Sequence, residues 1–446
     1  MADPARTAAL QALLQVEENA GYSNLVLDKA LKARSLPPRD KAFASALFYG
    51  VLERCLTLDY YLAQCLRDPR KKPEPLAREA LRCGAYQIFY MDKVPGSAAV
   101  NETVEAVKAL GGAKMSGFVN GVLRTLLRKK PAMALPQGDS PRAWALRFSV
   151  PEPLIRLWMG AYGRDTAQKI LQSFEQKAPL YIRVNTARTT AQALGAQLIE
   201  AGVPCEILPA PPGAARLEGT GSPAALAAFG EGLFHVQDLS AQWICELVGP
   251  QPGEAVCDCC AAPGGKSFTM AQQVGEKGQV LALDLYKGRV GLIGKGAQRL
   301  GLTNLKAQVH DAQKGFADFP LFDRVLCDVP CSGFGVIRRK PEIRYKSLES
   351  VKGLPGLQLS ILENAAQAVK PGGRLVYSTC TLNPAENQEV ADRFLRAHPD
   401  FAPCPFQLPG LNRLPGEPAH MLTLLPFGKA SDGFFAAAFT RGAAKG

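Results

Sequence analysis

The sequence predicts a multidomain chain: an all-α front, a small α+β middle segment and an α/β domain built on a parallel sheet. Three observations lead there. At 446 residues the chain is longer than one hydrophobic core usually serves, so two or three domains are expected. Residues 5–130 carry apolar side chains at helical spacing. From Phe234 onward, short apolar runs alternate with helical stretches, the mark of a parallel sheet with crossover helices.

Taken in order, the front shows Leu10, Leu13 and Leu14, then Phe43, Leu47, Phe48 and Val51, then Val119, Val122, Leu123 and Leu126, each set on one helical face. Breaks fall at Asn19–Ser23, Leu36-Pro37-Pro38, Arg67–Pro75 and Val94-Pro95-Gly96. Residues 131–150 are Pro-rich and read as a linker. Residues 151–230 combine a helix (Pro153–Phe174), a strand (Leu180–Asn185) and a second helix (Thr186–Ile199). The expected domains are therefore residues 1–140 with the linker, 141–230, and 231–446. In the last of these, strands are expected at Phe234–Asp238, Glu254–Cys257, Val280–Leu283, Asp323–Asp328 and Arg374–Ser378. A helix, Leu357–Val369, should end at Lys370-Pro371-Gly372-Gly373. Gly288, Gly291, Gly294 and Gly296 weaken the helix expected after Asp284.

Hydrophobic residues make up 47% and charged residues 21%, as in ordinary globular proteins. No apolar run reaches membrane-spanning length, and MADPARTAAL lacks a signal peptide's basic start and apolar core. A cytoplasmic monomer with no membrane partner is expected. The net charge is +12, and residues 1–130 hold 20 Lys+Arg against 13 Asp+Glu, a local excess of +7. That front suits a polyanion such as RNA, or it is merely a soluble basic domain; charge alone leaves both open. Arg70-Lys71-Lys72, Arg124, Arg128, Lys129 and Lys130 are its most plausible phosphate contacts. Twelve cysteines in a reducing compartment should be thiols. Cys257, Cys259 and Cys260 cluster, but no second pair stands at zinc spacing, so no metal is expected.

The stretch Val256–Ser267, VCDCCAAPGGKS, is a strand, a small-residue loop and a helix start. Such a loop lets backbone N–H groups approach a ligand held at the helix N-terminus. A phosphate loop would need Gly where Cys260 stands, and the dinucleotide G-x-G-x-x-G spacing is absent. Asp284, at the end of the next strand, is roughly 20 residues on, the distance that suits a carboxylate on ribose hydroxyls. Ribose recognition without a phosphate loop points to S-adenosyl-L-methionine on a Rossmann-like domain.

Cys331 and Cys380 both follow strands, in Pro-Cys-Ser and Thr-Cys-Thr turns, at the edge where open α/β sheets gather their chemistry. Carbon 5 of a pyrimidine is a poor nucleophile. A thiolate adding to carbon 6 makes carbon 5 enamine-like, able to attack a sulfonium methyl. A second group must then take the carbon-5 proton so that the thiolate can leave. Asp328, just before the Cys331 turn, could protonate or hydrogen-bond the ring nitrogen. The target base must be flipped or single-stranded to enter such a pocket.

Cys260-Ala-Ala-Pro-Gly-Gly-Lys266, Asp328-Val-Pro-Cys-Ser-Gly333 and Tyr377-Ser-Thr-Cys-Thr381 resemble the motifs of RNA cytosine-5 methyltransferases. Phe118–Arg124, Arg183–Arg188, Gln237–Gln242, Gly335–Arg339 and Asp432–Phe435 extend the likeness to the RsmB type (Fmu/Sun). These are 16S rRNA methyltransferases with a NusB-like helical front. The resemblance implies Cys380 as nucleophile and Cys331 as the group that aids release. It implies cofactor contacts from Cys260, Ala261, Ala262, Pro263, Gly264, Gly265, Lys266, Asp284, Asp311 and Asp328. It also implies 16S rRNA as partner, with cytosine 967 in the usual small-subunit numbering as target. Val329 stands where that family usually has Ala. The alternatives are a tRNA cytosine-5 methyltransferase, or a non-catalytic NusB-like RNA-binding or antitermination factor. Both cysteines being present speaks against the latter.

Overall fold

The computed structural model describes residues 3–19, 23–428 and 431–443; residues 20–22 of the expected Asn19–Ser23 break lie outside that set. The chain forms two compact units, Met1–Glu175 with Ile337–Lys346, and Gln176–Val336 with Ser347–Gly446.

The first unit is helical. Its elements are α1 (Pro4–Asn19), α2 (Ser23–Lys32), α3 (Pro38–Glu53), α4 (Cys55–Ala63), α5 (Pro75–Tyr90), α6 (Gly96–Ala109), α7 (Ser116–Lys129), α8 (Pro141–Phe148), α9 (Glu152–Tyr162) and α10 (Arg164–Ser173). Proline opens α3, α5 and α8, where a missing N–H leaves no intrahelical bond unmade. The apolar stripes read from the sequence meet in one core: Leu10, Leu13, Leu47, Phe48, Val51, Val119, Leu123 and Leu126 are all buried. Two expectations are corrected here. The Pro-rich 131–150 stretch is no simple linker, because Ser140 caps α8 by accepting from Ala143 N at 3.1 Å, and Trp144 and Phe148 are buried. Burying such side chains contributes about 1.5–3 kcal/mol each, enough to fold a segment that composition marks as loose. The single helix expected over Pro153–Phe174 is two, broken at Gly163, whose φ is +80°.

Residues Ile337–Lys346 complete this unit. The Arg344 guanidinium is buried and donates to the Glu53 carbonyl at 2.7 Å, and the Tyr345 hydroxyl accepts from Cys55 N at 3.0 Å.

The second unit holds two sheets. The smaller is antiparallel, in the order β2-β3-β1-β4, from β1 (Leu180–Val184), β2 (Cys205–Ile207), β3 (Ala214–Leu217) and β4 (Phe234–Val236). Helix α11 (Ala191–Glu200) and one turn, α12 (Ala227–Gly230), accompany it. Helix α11 starts five residues later than expected, because the Thr190 side chain caps it by accepting from Ala193 N.

Among the described residues the larger sheet has eight strands. These are β5 (Ala255–Asp258), β6 (Gln279–Asp284), β7 (Leu305–Val309), β8 (Phe322–Asp328), β9 (Val369–Thr379), β10 (Phe401–Pro403), β11 (Met421–Leu424) and β12 (Phe434–Arg441). Their order is β10-β12-β9-β8-β5-β6-β7, with β11 paired to β12. Strands β5 to β9 pair in parallel, as the alternation with helices predicted, but the strand expected first, Phe234–Asp238, is β4 of the smaller sheet, antiparallel to β1, and β7 is an added strand. The sheet is nonetheless mixed: β12 runs antiparallel to β9, β10 and β11. In β12, Phe434, Ala436 and Ala438 enter one apolar cluster while Phe435, Ala437 and Phe439 enter another, so both faces of the strand are buried.

The crossover helices are α13 (Leu239–Val248), α14 (Gly265–Val274), α15 (Lys287–Leu300), α16 (Leu354–Ala366) and α17 (Gln388–Ala397). Helix α15 forms despite its four glycines, with Ile293, Ala297 and Leu300 buried. Helix α16 begins and ends three residues before its expected limits, and Lys370–Gly373 lies within β9.

Candidate active site

Strand β5 has β6 on one side and β8 on the other, although β6 follows it directly in sequence. Its carboxyl end is therefore a switch point, where crossovers diverge and leave a crevice. Across the sheet, the carboxyl ends present Cys380 after β9, Asp328 and Cys331 at β8, Cys260–Lys266 after β5, Asp284 at β6 and Asp311 after β7. The sequence-predicted residues thus share one rim of the sheet in a fixed order, from Cys380 at β9 to Asp311 past β7. Five neighbouring strands at ~4.8 Å spacing make that rim roughly 19 Å long.

The loop after β5 is held from both sides. Cys259 N donates to Leu326 O at 2.9 Å, and Ala261 N to Leu283 O at 2.8 Å. Gly264 has φ +110° and lies so close to the Phe268 ring that an added Cβ would be 2.8 Å from Cε1. Only glycine suits both the φ and the space. Ala262 N donates to Asp284 Oδ2 at 3.2 Å, and Tyr286 N to Oδ1 at 3.3 Å. Arg289 approaches the same carboxylate at 3.4 Å and donates to Ala262 O at 3.1 Å. Leu285 and Tyr286, exposed beside Asp284, offer apolar surface. Asp311 accepts from Gln313 N at 3.1 Å and caps a short turn past β7.

Lys266 Nζ donates to Asp328 Oδ2 at 2.7 Å, and Ser378 Oγ to Asp328 Oδ1 at 2.7 Å. Burial opposes the charge of Lys266, but the Asp328 carboxylate outweighs it and holds the ammonium's pKa above its ordinary value. Beneath the loop, Asp258 is fully buried and accepts from Ser267 Oγ at 2.6 Å. Burial pushes its carboxyl up to about 7.

Strands β8 and β9 are neighbours in register Asp328↔Ser378, and the Cys331 and Cys380 sulfurs come within 3.2 Å. The hydrogen bond with Cys380, burial, and the nearby charges of Cys380, Glu386 and Asp328 push the Cys331 thiol well above the ordinary thiol range. Cys331 therefore holds its proton more firmly than an ordinary thiol. Gly335 N donates to Cys380 O at 3.0 Å, and Gly433 N to Gly335 O at 2.8 Å, joining the two turns to the start of β12.

The buried residues Asp258, Gln358, Glu386 and Asn387 belong to this site and were not singled out from the sequence. Gln358 sits within α16, with no motif spacing to mark it. Glu386 and Asn387 lie five and six residues past Thr381, and that proximity is the one signal that could have found them. Among the described residues no group of three or more His, Cys, Asp or Glu is arranged to hold a metal ion.

In the helical unit, a groove of about 1020 Å³ is lined in part by Leu56, Leu62, Lys71, Lys72, Arg78 and Arg82. Two predicted phosphate contacts are engaged elsewhere: Lys129 Nζ donates to Gln64 O and Lys130 Nζ to Ile88 O, both at 2.7 Å. No helix is long and apolar enough to cross a membrane among the described residues.

Three family models match this chain: 16S rRNA methyltransferase RsmB/F over residues 245–440, the NusB family over 3–128, and the RsmF/B-like ferredoxin-like domain over 150–222. The chain is 39% identical over 438 residues to the probable ribosomal RNA small subunit methyltransferase B of Bacillus subtilis, covering 96% of this chain and 97% of that protein. It is 34% identical over 446 residues to the ribosomal RNA small subunit methyltransferase B of Vibrio cholerae, covering 98% and 97%. The crystal structure of PH0851 matches with a TM-score of 0.86 over 98% of this chain and 99% of that one, at 24% identity, a likeness of fold. The three-part fold expected from the sequence is borne out, with the middle part ferredoxin-like.

Proposed function

Because this chain belongs to the 16S rRNA methyltransferase RsmB/F family, we propose that it methylates carbon 5 of one cytosine in 16S rRNA through a covalent Cys380–carbon 6 adduct. The observation that carries this reading is the 3.2 Å approach of Cys331 and Cys380 at the ends of adjacent strands. One sulfur forms the adduct; release needs a second group beside it to handle protons, and the second sulfur stands within reach for that part.

The crevice fits S-adenosyl-L-methionine. Asp284 offers a carboxylate to ribose hydroxyls, Leu285 and Tyr286 offer apolar surface to a base, and the Cys260–Lys266 loop offers backbone at a helix start. No phosphate-binding pattern competes with that assignment. When bound, the cofactor supplies an electrophilic sulfonium methyl. Asp311 and Asp328 add acceptors on either side.

The protein's own groups then act in sequence. The Cys380 thiolate adds to carbon 6 of a flipped or single-stranded cytosine, while Asp328, in its protonated form, donates to the ring nitrogen that gains electron density. Carbon 5 takes the methyl group. The Cys331 thiol passes its own proton to the departing Cys380 sulfur 3.2 Å away and takes the carbon-5 proton in its place, so the carbon 5–carbon 6 double bond reforms as the Cys380–carbon bond breaks. Lys266 holds Asp328 in place throughout. Residues 1–140 are assigned to RNA capture, 141–230 to the ferredoxin-like connection and 231–446 to catalysis, in a cytoplasmic monomer.

The two cysteines predict opposite mutant behaviour. Cys380→Ala should abolish methylation and any protein–RNA adduct. Cys331→Ala should form the adduct and release it slowly, so a denaturant-resistant complex accumulates. Accumulation in Cys380→Ala instead would reverse the roles. Bisulfite sequencing of RNA from a deletion strain should lose one 16S cytosine signal; loss in tRNA alone would overturn the substrate assignment.

A further inference from the structure

Each reactive cysteine has both of its chain neighbours tied down, and the ties converge on two consecutive residues. Glu386 is fully buried, and its Oε2 accepts from Ser332 N at 2.8 Å and from Gln358 Nε2 at 2.9 Å. The same Gln358 amide donates to Pro330 O at 3.0 Å. Pro330 and Ser332, the residues on either side of Cys331, are therefore fixed by one Glu–Gln pair. Asn387 does the equivalent for Cys380. Its Oδ1 accepts from Thr379 Oγ1 at 2.6 Å, and its Nδ2 donates to Thr381 O at 3.0 Å. A cross-link joins the two turns, Ser332 Oγ to Thr381 Oγ1 at 2.6 Å.

Glu386 is an unusual choice for a purely structural tie. Its donors, Ser332 N, Gln358 Nε2 and Asn383 Nδ2, are all uncharged. A buried carboxylate held, among the described residues, by neutral donors is costly to desolvate. Here both oxygens accept and neither needs a proton to donate. The carboxylate reaches the Cys331 turn directly, through Ser332 N.

We propose that Glu386 and Asn387 are positioning residues with separate duties: Glu386 fixes the Cys331 turn for product release, and Asn387 fixes the Cys380 turn for addition to the base. This rests on the two-thiol reading above and goes beyond it by dividing the supporting shell between two steps. A displacement near 1 Å at a reacting group can cost about 10²-fold in rate, so loosening either turn should be felt in turnover. The steps affected differ. With Glu386→Ala, the Cys331 turn loses its anchor while Cys380 still adds, so the protein–RNA adduct should rise about tenfold over wild type as turnover falls. With Asn387→Ala, turnover should fall to a similar degree with no rise in adduct. Glu386→Gln keeps one acceptor for Ser332 N and should recover most of the turnover.

The experiment is single-turnover methyl transfer on the 16S fragment with the full chain, with adduct quantified on denaturing gels. Cys331→Ala and Cys380→Ala are run in parallel. If Cys331→Ala fails to accumulate adduct, the two-thiol reading itself is lost. If it accumulates but Glu386→Ala and Asn387→Ala give equal adduct yields, the division of duties is overturned and the two residues are only structural. Should Glu386→Ala not fold, Gln358→Ala, which frees Pro330 O and removes a donor to Glu386, carries the comparison: an adduct level about threefold that of Asn387→Ala supports the division, and equal levels refute it.

Discussion

Replacing Gly335 by alanine tests how tightly the catalytic turns are built. Gly335 follows the Cys331 turn, and its N–H holds the Cys380 carbonyl at 3.0 Å while its carbonyl accepts from Gly433 N at 2.8 Å. An added Cβ would run into the Gly433 carbonyl and lie 2.8 Å from the Gly433 Cα. Carbon atoms rest at about 3.5–4.0 Å, so the two backbones must part by on the order of 1 Å. Both partners are main chain, and neither glycine has a left-handed φ, so the effect is purely one of space. Parting them breaks at least one of the two hydrogen bonds, worth about 1 kcal/mol, on top of about 1–3 kcal/mol for overpacking. The expected loss is roughly 2–4 kcal/mol, which at about 2–4 °C per kcal/mol lowers the melting temperature by about 4–16 °C. Methyl transfer should fall about 10²-fold, since the carbonyl released is that of Cys380 itself. Gly356→Ala in α16, where a Cβ meets nothing within 4 Å, is the control and should leave both unchanged or slightly improved. Calorimetry and single-turnover kinetics read the two effects. A Gly335→Ala protein melting within about 1 °C of wild type and turning over at full rate would refute the steric argument.

The remaining predictions concern α15 and Asp258. Gly288→Ala, Gly291→Ala and Gly294→Ala meet open space, so each should stabilise by about 0.5–1 kcal/mol in denaturant titration. Gly296→Ala places a Cβ 2.8 Å from Phe268 Cε2 and should destabilise; equal gains at all four positions would contradict this packing. Asp258, with its carboxyl raised from 3.8 to about 7, binds its proton more tightly folded than unfolded. Its contribution is therefore largest below pH ~4, declines as pH rises toward 7 and is flat beyond, a span of at most roughly 4 kcal/mol. Asp258→Asn keeps an acceptor for Ser267 and removes that slope, so its melting temperature should gain on wild type between pH 5 and 8. Parallel curves would show that Asp258 does not titrate there.

The site was legible in the sequence where chemistry demands rare residue patterns. The Ala-Ala-Pro-Gly-Gly-Lys266 loop, Asp284 and the two cysteines follow strands whose apolar runs are unambiguous, and the structure brings them to one rim. Asp258, Gln358, Glu386 and Asn387 escaped notice because a polar residue that will be buried looks like any surface polar residue until the fold closes over it. The helix α8 was hidden by its prolines, which mark loops on average but here open a helix at its first position. The glycines of α15 lower helix propensity, yet burial of Ile293, Ala297 and Leu300 overrides it. Strand β12 was missed because it is apolar on both faces and so lacks the alternation that announces an edge or half-exposed strand.

That strand also sets an order of events. β12 spans Phe434–Arg441, yet it lies between β9 and β10 and carries the Gly433 junction to the Cys331 turn. A chain emerging from the ribosome can assemble the parallel strands and the glycine loop long before those residues are made. The two thiols, however, lack their final brace until then.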